Sequence, residues 1–162
     1  MTKLLVLPIL LSSLYGNYQT ILFHGHANHL ESHNEQGTKF NEMNYGIGYQ
    51  YTFREEENHF FSLGGNFIKD SYNNPMPFLT GAYNYSLLNN NYGELTVNAT
   101  AIVGLRYTED RGSSYGIFGV VPGMTYKYDK FSINYNFSPT VDASASNGRT
   151  TGFHYFSLGM DF

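Results

Sequence analysis

Residues 152–162 read GFHYFSLGMDF, and their side chains separate into two sets when every second residue is taken. In an extended strand, successive side chains point to opposite faces. One face then carries His154, Phe156, Leu158, Met160 and Phe162, and the other carries Phe153, Tyr155, Ser157, Gly159 and Asp161. The first face is a largely apolar stripe that ends in an aromatic residue. This pattern predicts a strand with one side towards lipid.

The composition favours a membrane protein that crosses with strands. Hydrophobic residues make up 41% of the 162 residues and charged residues only 14%, which is too apolar for a disordered chain. Beyond the N-terminus no apolar run approaches the ~18–20 residues that a membrane-spanning helix needs. The net charge of −4 gives no support to nucleic-acid binding. The absence of cysteine excludes disulfides, thiolate nucleophiles and Cys-zinc sites.

The N-terminus has the pattern of a secretory signal peptide. Lys3 follows Met1 and Thr2, and an apolar stretch from Leu4 to Leu14 comes next. Gly16 is a small residue at which cleavage is expected. We therefore expect residues 1–16 to be a signal peptide and residues 17–162 to form the mature domain. The alternative is a buried N-terminal strand or helix.

Eight segments show the two-residue alternation of strands. The clearest are Asn44 to Phe53 and Leu95 to Tyr107, where a helix would mix apolar and polar residues on every face. The other six are Tyr18 to His29, His59 to Ile68, Met76 to Leu87, Tyr115 to Tyr128, Phe131 to Phe137 and Gly152 to Phe162. Their lengths bracket the ~9–11 residues of a tilted membrane strand.

The connections between these segments alternate between short polar turns and longer loops rich in Gly, Ser and Asn. The short ones are Arg54 to Asn58, Leu88 to Gly93 and Asp129-Lys130, and the longer ones are Leu30 to Met43, Lys69 to Pro75, Glu109 to Ser114 and Ser138 to Thr151. This alternation is typical of outer-membrane barrels, whose longer loops face outside. In hydrocarbon every backbone N–H and C=O needs a partner, so the strands must close into a ring. We predict an all-β fold, an eight-stranded antiparallel transmembrane β-barrel whose bore is filled by side chains.

Alternation also predicts what lines the bore. The half near the short turns is expected to be polar, with Gln50, Thr52, Ser62, Asn84, Ser86, Thr96, Asn98, Ser132, Asn134 and Asp161 facing inward. The half near the long loops receives Ile68, Phe78, Ile102, Phe153 and Tyr155, together with Gly46, Gly48, Gly64 and Gly104. Apolar walls with missing side chains suit a lipid tail, although ordinary apolar packing explains them equally well.

The segment FIKDSYNNPMP, residues 67–77, resembles a loop of the lipid A palmitoyltransferase family of PagP type. Asp70, Ser71, Asn73 and Pro77 match the family's Phe-Lys-Asp-Ser-Trp-Asn run and the proline after it. Asn41-Glu42 before a Gly-rich strand, His26-Ala27, and the separation of Pro122 from Pro139 are also similar. The resemblance spans most of the mature chain. The family's second pair of prolines and its N-terminal amphipathic helix have no counterpart.

The resemblance implies an outer-membrane acyltransferase that moves a palmitoyl-like chain from a phospholipid to lipid A, without a cofactor. It implies catalytic roles for His26, Asp70 and Ser71, with His29 as the alternative to His26. It also implies an acyl pocket and a lateral gap. The pocket would be lined by Ile68, Phe78, Ala82 and Ile102, with Ala82 where the family has a Gly, and the gap would be flanked by Pro122 and Pro139.

Two other functions remain open from the sequence. One is a non-catalytic small barrel that serves surface interaction, and the other is a lipid A deacylase or esterase. A metal site is a further alternative, because His24 and His26 share a face in a regular strand, but no carboxylate or Cys completes a ligand set. We expect a monomer in the outer membrane, with no nucleic-acid partner and no metal.

Overall fold

The computed structural model describes residues 17–33, 37, 39–54, 58–108, 113–139, 141–143, 148–150 and 152–162. The predicted signal peptide, residues 1–16, lies outside the described residues. The described residues form ten strands: β1 (Tyr18–His29), β2 (Met43–Arg54), β3 (His59–Lys69), β4 (Pro75–Asn90), β5 (Gly93–Thr108), β6 (Ser113–Tyr128), β7 (Phe131–Ser138), β8 (Val141–Ala143), β9 (Gly148–Thr150) and β10 (Phe153–Asp161). Within the described ranges, no helix has the length and apolarity needed to cross a membrane.

Eight of these strands form a closed antiparallel barrel in the order β1-β10-β7-β6-β5-β4-β3-β2. The ring closes where β10 pairs with β1, from Thr20 opposite Asp161 to His29 opposite Phe153. This confirms the predicted all-β, eight-stranded fold. Each predicted strand lies within a few residues of an observed one.

Two stretches differ from the predicted connections. β8 and β9 pair with each other inside the segment that was expected to be only a loop, with Val141 opposite Thr150. The turn between β4 and β5 is also shorter than Leu88 to Gly93, because the ladder continues to Asn90 opposite Gly93. A register shift after Ser86 absorbs one residue and allows this continuation.

The two faces of the wall differ as membrane strands require. Large hydrophobic residues are exposed on the outside, among them Ile47, Phe61, Leu63, Leu79, Val103, Ile133 and Leu158. Polar residues are buried in the bore, among them Thr52, Ser62, Asn84, Ser86, Thr96 and Ser132. In a water-soluble domain this arrangement would be inverted, whereas in a bilayer the exposed apolar surface contacts lipid.

Hydrogen bonds and ion pairs fill the half of the bore near the short turns. Thr52 and Ser62 are hydrogen-bonded at 3.1 Å, and the Asn84 amide donates to Ser62 at 3.2 Å. Further towards the turns, Arg54 pairs with Glu94, and Lys127 Nζ lies 2.5 Å from Asp161 Oδ2. Asp161 also accepts a hydrogen bond from Thr20, and Lys127 lies over the Tyr18 ring. Each of these side chains has its partner within the bore, which closes this end of the barrel.

Removal of Lys127 tests whether this network stabilises the barrel. Lys127→Met leaves Asp161, only 12% exposed, without its counter-charge. We expect the free energy of unfolding to fall by about 3 kcal/mol, because an unpaired charge in the bore is poorly solvated. The chain has no tryptophan, so the folded fraction is measured by heat-modifiable gel migration during urea unfolding in liposomes. Lys130→Met in the exposed β6–β7 turn is the control, and an equal loss there would contradict the ion pair as the cause.

Candidate active site

A β-bulge at Gly25 decides which histidines of β1 face the bore. The register shifts between His24 and His26 on both sides of β1. His24 is buried in the bore, where its Nε2 lies 2.9 Å from Asn66 Oδ1. His26 lies opposite Met43 and Phe156, both exposed on the outer wall. The expectation that His24 and His26 share a face is therefore wrong, because one extra residue reverses every side chain that follows.

The same bulge turns His29 into the bore at its long-loop end. His29 lies opposite Phe153, and its ring stacks on the buried Phe40 with centroids 4.3 Å apart. Phe40 in turn makes an edge contact of 5.5 Å with Tyr72. His29, the alternative to His26 in the sequence, thus belongs to the inner rim.

Asp70 organises the loop between β3 and β4. Its Oδ1 accepts hydrogen bonds from the backbone N–H groups of Tyr72 at 2.9 Å and Asn74 at 2.8 Å. Its Oδ2 lies 2.8 Å from Arg106 Nε in an ion pair without a hydrogen bond between these two atoms. The carboxylate is only 1% exposed, so its charge is compensated almost entirely by these groups. Both oxygens are committed to the loop and to Arg106, and neither contacts a histidine.

Ser71 follows Asp70 in the same loop and is half-buried. Its carbonyl accepts a hydrogen bond of 2.7 Å from the Asn41 backbone N–H, which ties this loop to the one between β1 and β2. Ser71 is therefore held at the rim by its backbone.

The sequence-predicted residues are thus only partly together. Asp70, Ser71 and His29 are at the inner rim, with Phe40 and Tyr72 between His29 and Asp70, whereas His26 is on the outer wall. Arg106 was missed as a site residue. Its position could have indicated a site residue, because Arg106 is a charged residue at an inward-facing place on an otherwise uncharged part of β5.

An apolar cluster lies directly below the rim. Ile68, Met76 and Phe78 are buried together, and Ile102 and Ile117 pack against them. Gly46 and Gly104 let strands approach here, since a Cβ at Gly46 would meet the Ile68 side chain at 2.6 Å, and one at Gly104 would meet Phe78 Cβ at 2.6 Å. Three of the four predicted pocket residues are therefore in one cluster, and Met76 and Ile117 were missed.

Ala82, the fourth predicted pocket residue, is nearer to the short turns. It lies opposite Ser62 and Thr100, between the apolar cluster and the buried Asn84. Among the described residues, no group of three His, Asp or Glu side chains has the spacing of a metal site.

The wall is incompletely paired between β6 and β7. Their ladder runs from Tyr128 opposite Phe131 to Gly123 opposite Asn136, and the described part of β6 before Gly123 has no partner on β7. Pro122, which has no N–H to donate, is the first residue beyond the last pair. Pro139 directly follows the end of β7. Beyond Gly123 and Asn136, on the long-loop half, β6 and β7 are thus unpaired between the two prolines, and we call this unpaired stretch the opening.

A model of the PagP family, described as antimicrobial peptide resistance and lipid A acylation protein PagP, matches residues 14–155. The chain belongs to the PagP family. It is an outer-membrane β-barrel of a family that acts in lipid A acylation. No curated protein matches the chain.

Among solved structures, this PagP-family barrel is similar to Ail, the attachment invasion locus protein of Yersinia pestis. The sequence identity is 12% and the TM-score 0.48, over 90% of this chain and 97% of Ail. It is also similar to Neisserial surface protein A, at 13% identity and a TM-score of 0.47, over 90% and 96% of the two chains.

Two substitutions at Asp70 separate its roles in this PagP-family rim. Asp70→Asn keeps one oxygen for the Tyr72 and Asn74 amides but replaces the oxygen opposite Arg106 with an uncharged NH2 group, whereas Asp70→Ala removes both oxygens. We expect hydrogen exchange of these two amides to be at least ~10-fold faster than in the wild type in Asp70→Ala, because both hydrogen bonds are lost, and to rise less in Asp70→Asn, where the bonds remain without the charge. NMR measures both, and equal exchange in the two variants would contradict the role of the carboxylate in the loop.

Proposed function

We propose that the protein is an acyltransferase that moves a fatty acyl chain from a phospholipid to a hydroxyacyl chain of lipid A. The observation that carries the proposal is that His29, Ser71 and the Asp70–Arg106 pair lie at the same, long-loop end of the bore. An apolar cluster lies below this rim and an opening in the wall lies on the same half. Acyl transfer needs these elements: a base, oxyanion donors and a place for the chain.

In the proposed reaction, His29 accepts the proton of the lipid A hydroxyl as its oxygen attacks the ester carbonyl of the phospholipid. The tetrahedral oxyanion is stabilised by the Arg106 guanidinium and the Ser71 hydroxyl, both of which are donors. Collapse breaks the bond to the glycerol oxygen, which takes the proton from the imidazolium and leaves as a lysophospholipid. Asp70 is a positioning residue, because its carboxylate holds Arg106 and the loop that carries Ser71.

The acyl chain is proposed to enter between Pro122 and Pro139 and to displace the packing of the apolar cluster. Met76 has the most flexible side chain of that cluster and can reorient at low cost. The chain would pass the His24–Asn66 hydrogen bond, which lies at the level of Phe78, and would end at Asn84 and Ser62, which are hydrogen-bonded to each other. Ala82 lies at this boundary and would limit chain length.

Removal of His29 tests the proposed base. Purified protein in detergent is incubated with phospholipid and lipid A, and the products are separated by thin-layer chromatography. We expect His29→Ala to slow transfer by roughly 100-fold or more, because the base is lost, while the folded barrel persists in gel migration. His33→Ala in the adjacent loop is the matched control and should retain activity. Retention in His29→Ala with loss in His26→Ala would assign the role to His26 instead.

The same assay separates the other two functions. Release of free fatty acid without lipid A would indicate a deacylase or esterase, and binding without any acyl product would indicate a non-catalytic barrel. Either result with the folded wild-type protein would overturn the proposed transfer.

The role of Ala82 is tested by Ala82→Gly. Loss of one methyl group at the end of the pocket should shift the preferred acyl chain to a length greater by roughly one or two methylene groups. Mass spectrometry of the modified lipid A measures the change. Ala101→Gly, on the exposed outer face of β5, is the control and should leave the preference unchanged. An unchanged preference in Ala82→Gly would remove Ala82 from the pocket.

A further inference from the structure

The outer wall carries a polar group of residues next to the opening. It consists of His26 and Asn28 on β1, His154 on β10 and Tyr135 on β7, and we call it the outer-wall patch. Two rows of cross-strand neighbours contain it: His26, Phe156 and Tyr135 in one row, and Asn28, His154 and Phe137 in the next. Polar side chains facing outward from three consecutive membrane strands need partners that hydrocarbon does not provide.

The patch extends to the edge of the opening. Tyr135 lies opposite Met124, one residue from the last β6–β7 pair at Gly123 and Asn136. Phe137, in the row of His154, is one residue further along β7, at the level where Pro122 interrupts the pairing on β6. A lipid with a chain in the opening would therefore have its headgroup beside these residues.

The Tyr135–His154 pair at the centre of the patch has one more N–H or O–H group than its own hydrogen bond uses. Tyr135 Oη lies 2.7 Å from His154 Nδ1. If the phenol donates to Nδ1, the Nε2–H of the imidazole is left over, and if Nδ1–H donates to the phenol, the O–H is left over. In both tautomers one donor of the pair is not used in this hydrogen bond. Asn28 is exposed in the same row as His154 and offers two more N–H donors.

The charges favour a ligand with one phosphate. None of the described outward-facing residues of β1, β7 and β10 is Lys or Arg, so a polyphosphorylated headgroup would lack counter-charges there. A phosphodiester carries a single negative charge and oxygens that accept hydrogen bonds. Neutral or protonated imidazole and phenol donors suit that group.

We infer that the outer-wall patch binds the phosphodiester headgroup of a glycerophospholipid whose acyl chain enters the opening between β6 and β7. The identification of this lipid as the acyl donor rests on the proposed function. The binding itself does not require acyl transfer and is measured without it.

The experiment uses Phe137→Trp as a single tryptophan reporter at the edge of the opening. Full-length protein in detergent is titrated with dioleoylphosphatidylglycerol, with dioleoylglycerol, which lacks the phosphate, and with inorganic phosphate. We expect a saturable fluorescence change with the phospholipid and none at matched concentrations of the other two. In this background, His154→Phe with Tyr135→Phe should weaken binding about tenfold while keeping an aromatic outer wall.

A matched control is available elsewhere on the wall. His59 Nδ1 and the Tyr83 hydroxyl form a similar exposed pair near the short turns, far from the opening. His59→Phe with Tyr83→Phe should leave the affinity unchanged. Folding of all variants is checked by gel migration.

Several outcomes would overturn the inference. Equal binding of dioleoylglycerol would mean that only the acyl chains are recognised, and equal binding of inorganic phosphate would mean that the site takes the free ion. Stronger binding of lipid A that is lost in the patch variant would make lipid A the occupant. Phospholipid binding that depends on the patch, in a protein that transfers no acyl chain, would sustain the patch and refute the proposed function. Acyl transfer by the wild type, together with a patch variant that binds phospholipid as tightly as the wild type, would refute the patch and sustain the proposed function.

Discussion

The structure depends on the need to pair every backbone N–H and C=O within hydrocarbon. Strands alone satisfy this need only when the last pairs with the first, as β10 does with β1. Side chains have no such pairing requirement, so each strand can turn one set towards lipid and the other set into the bore. Among the described residues, backbone pairing departs from regularity at a bulge in β1, at the register shift after Ser86 in β4, and at the early end of the ladder between β6 and β7.

The bore is divided into two regions by its side chains. Near the short turns, hydrogen bonds and ion pairs such as Arg54–Glu94 hold the strands together across the interior. Near the long loops, Ile68, Met76 and Phe78 form an apolar cluster beside the His24–Asn66 hydrogen bond, and Asp70 and Arg106 form a buried ion pair above it. The proposed chemistry lies at this second end, where the β6–β7 ladder stops early. The polar half also provides a natural limit for any acyl chain that enters.

The bulge at Gly25 explains why the candidate site was only partly predictable. Asp70 and Ser71 were predicted from a local sequence motif, and such a prediction does not depend on the strand register. His26 was chosen from its resemblance to the family's His-Ala pair, with His29 as the alternative, and the regular alternation of β1 does not show the bulge that decides which of them faces the bore. One additional residue moves His26 to the lipid side and His29 to the bore. Arg106 was visible as an inward charge, but its partner Asp70 lies on another loop, and no local pattern joins the two.

The sequence by itself determined the all-β fold, the eight barrel strands, their apolar and polar faces and the Asp-Ser loop. Alternation and turn residues are local properties, and the requirement for closure leaves one arrangement for eight such strands. Tertiary structure decided which histidine reaches the rim, what Asp70 binds, and where the wall is open. These depend on register and on contacts between distant strands, since a shift of one residue reverses a face without changing any feature of the local pattern.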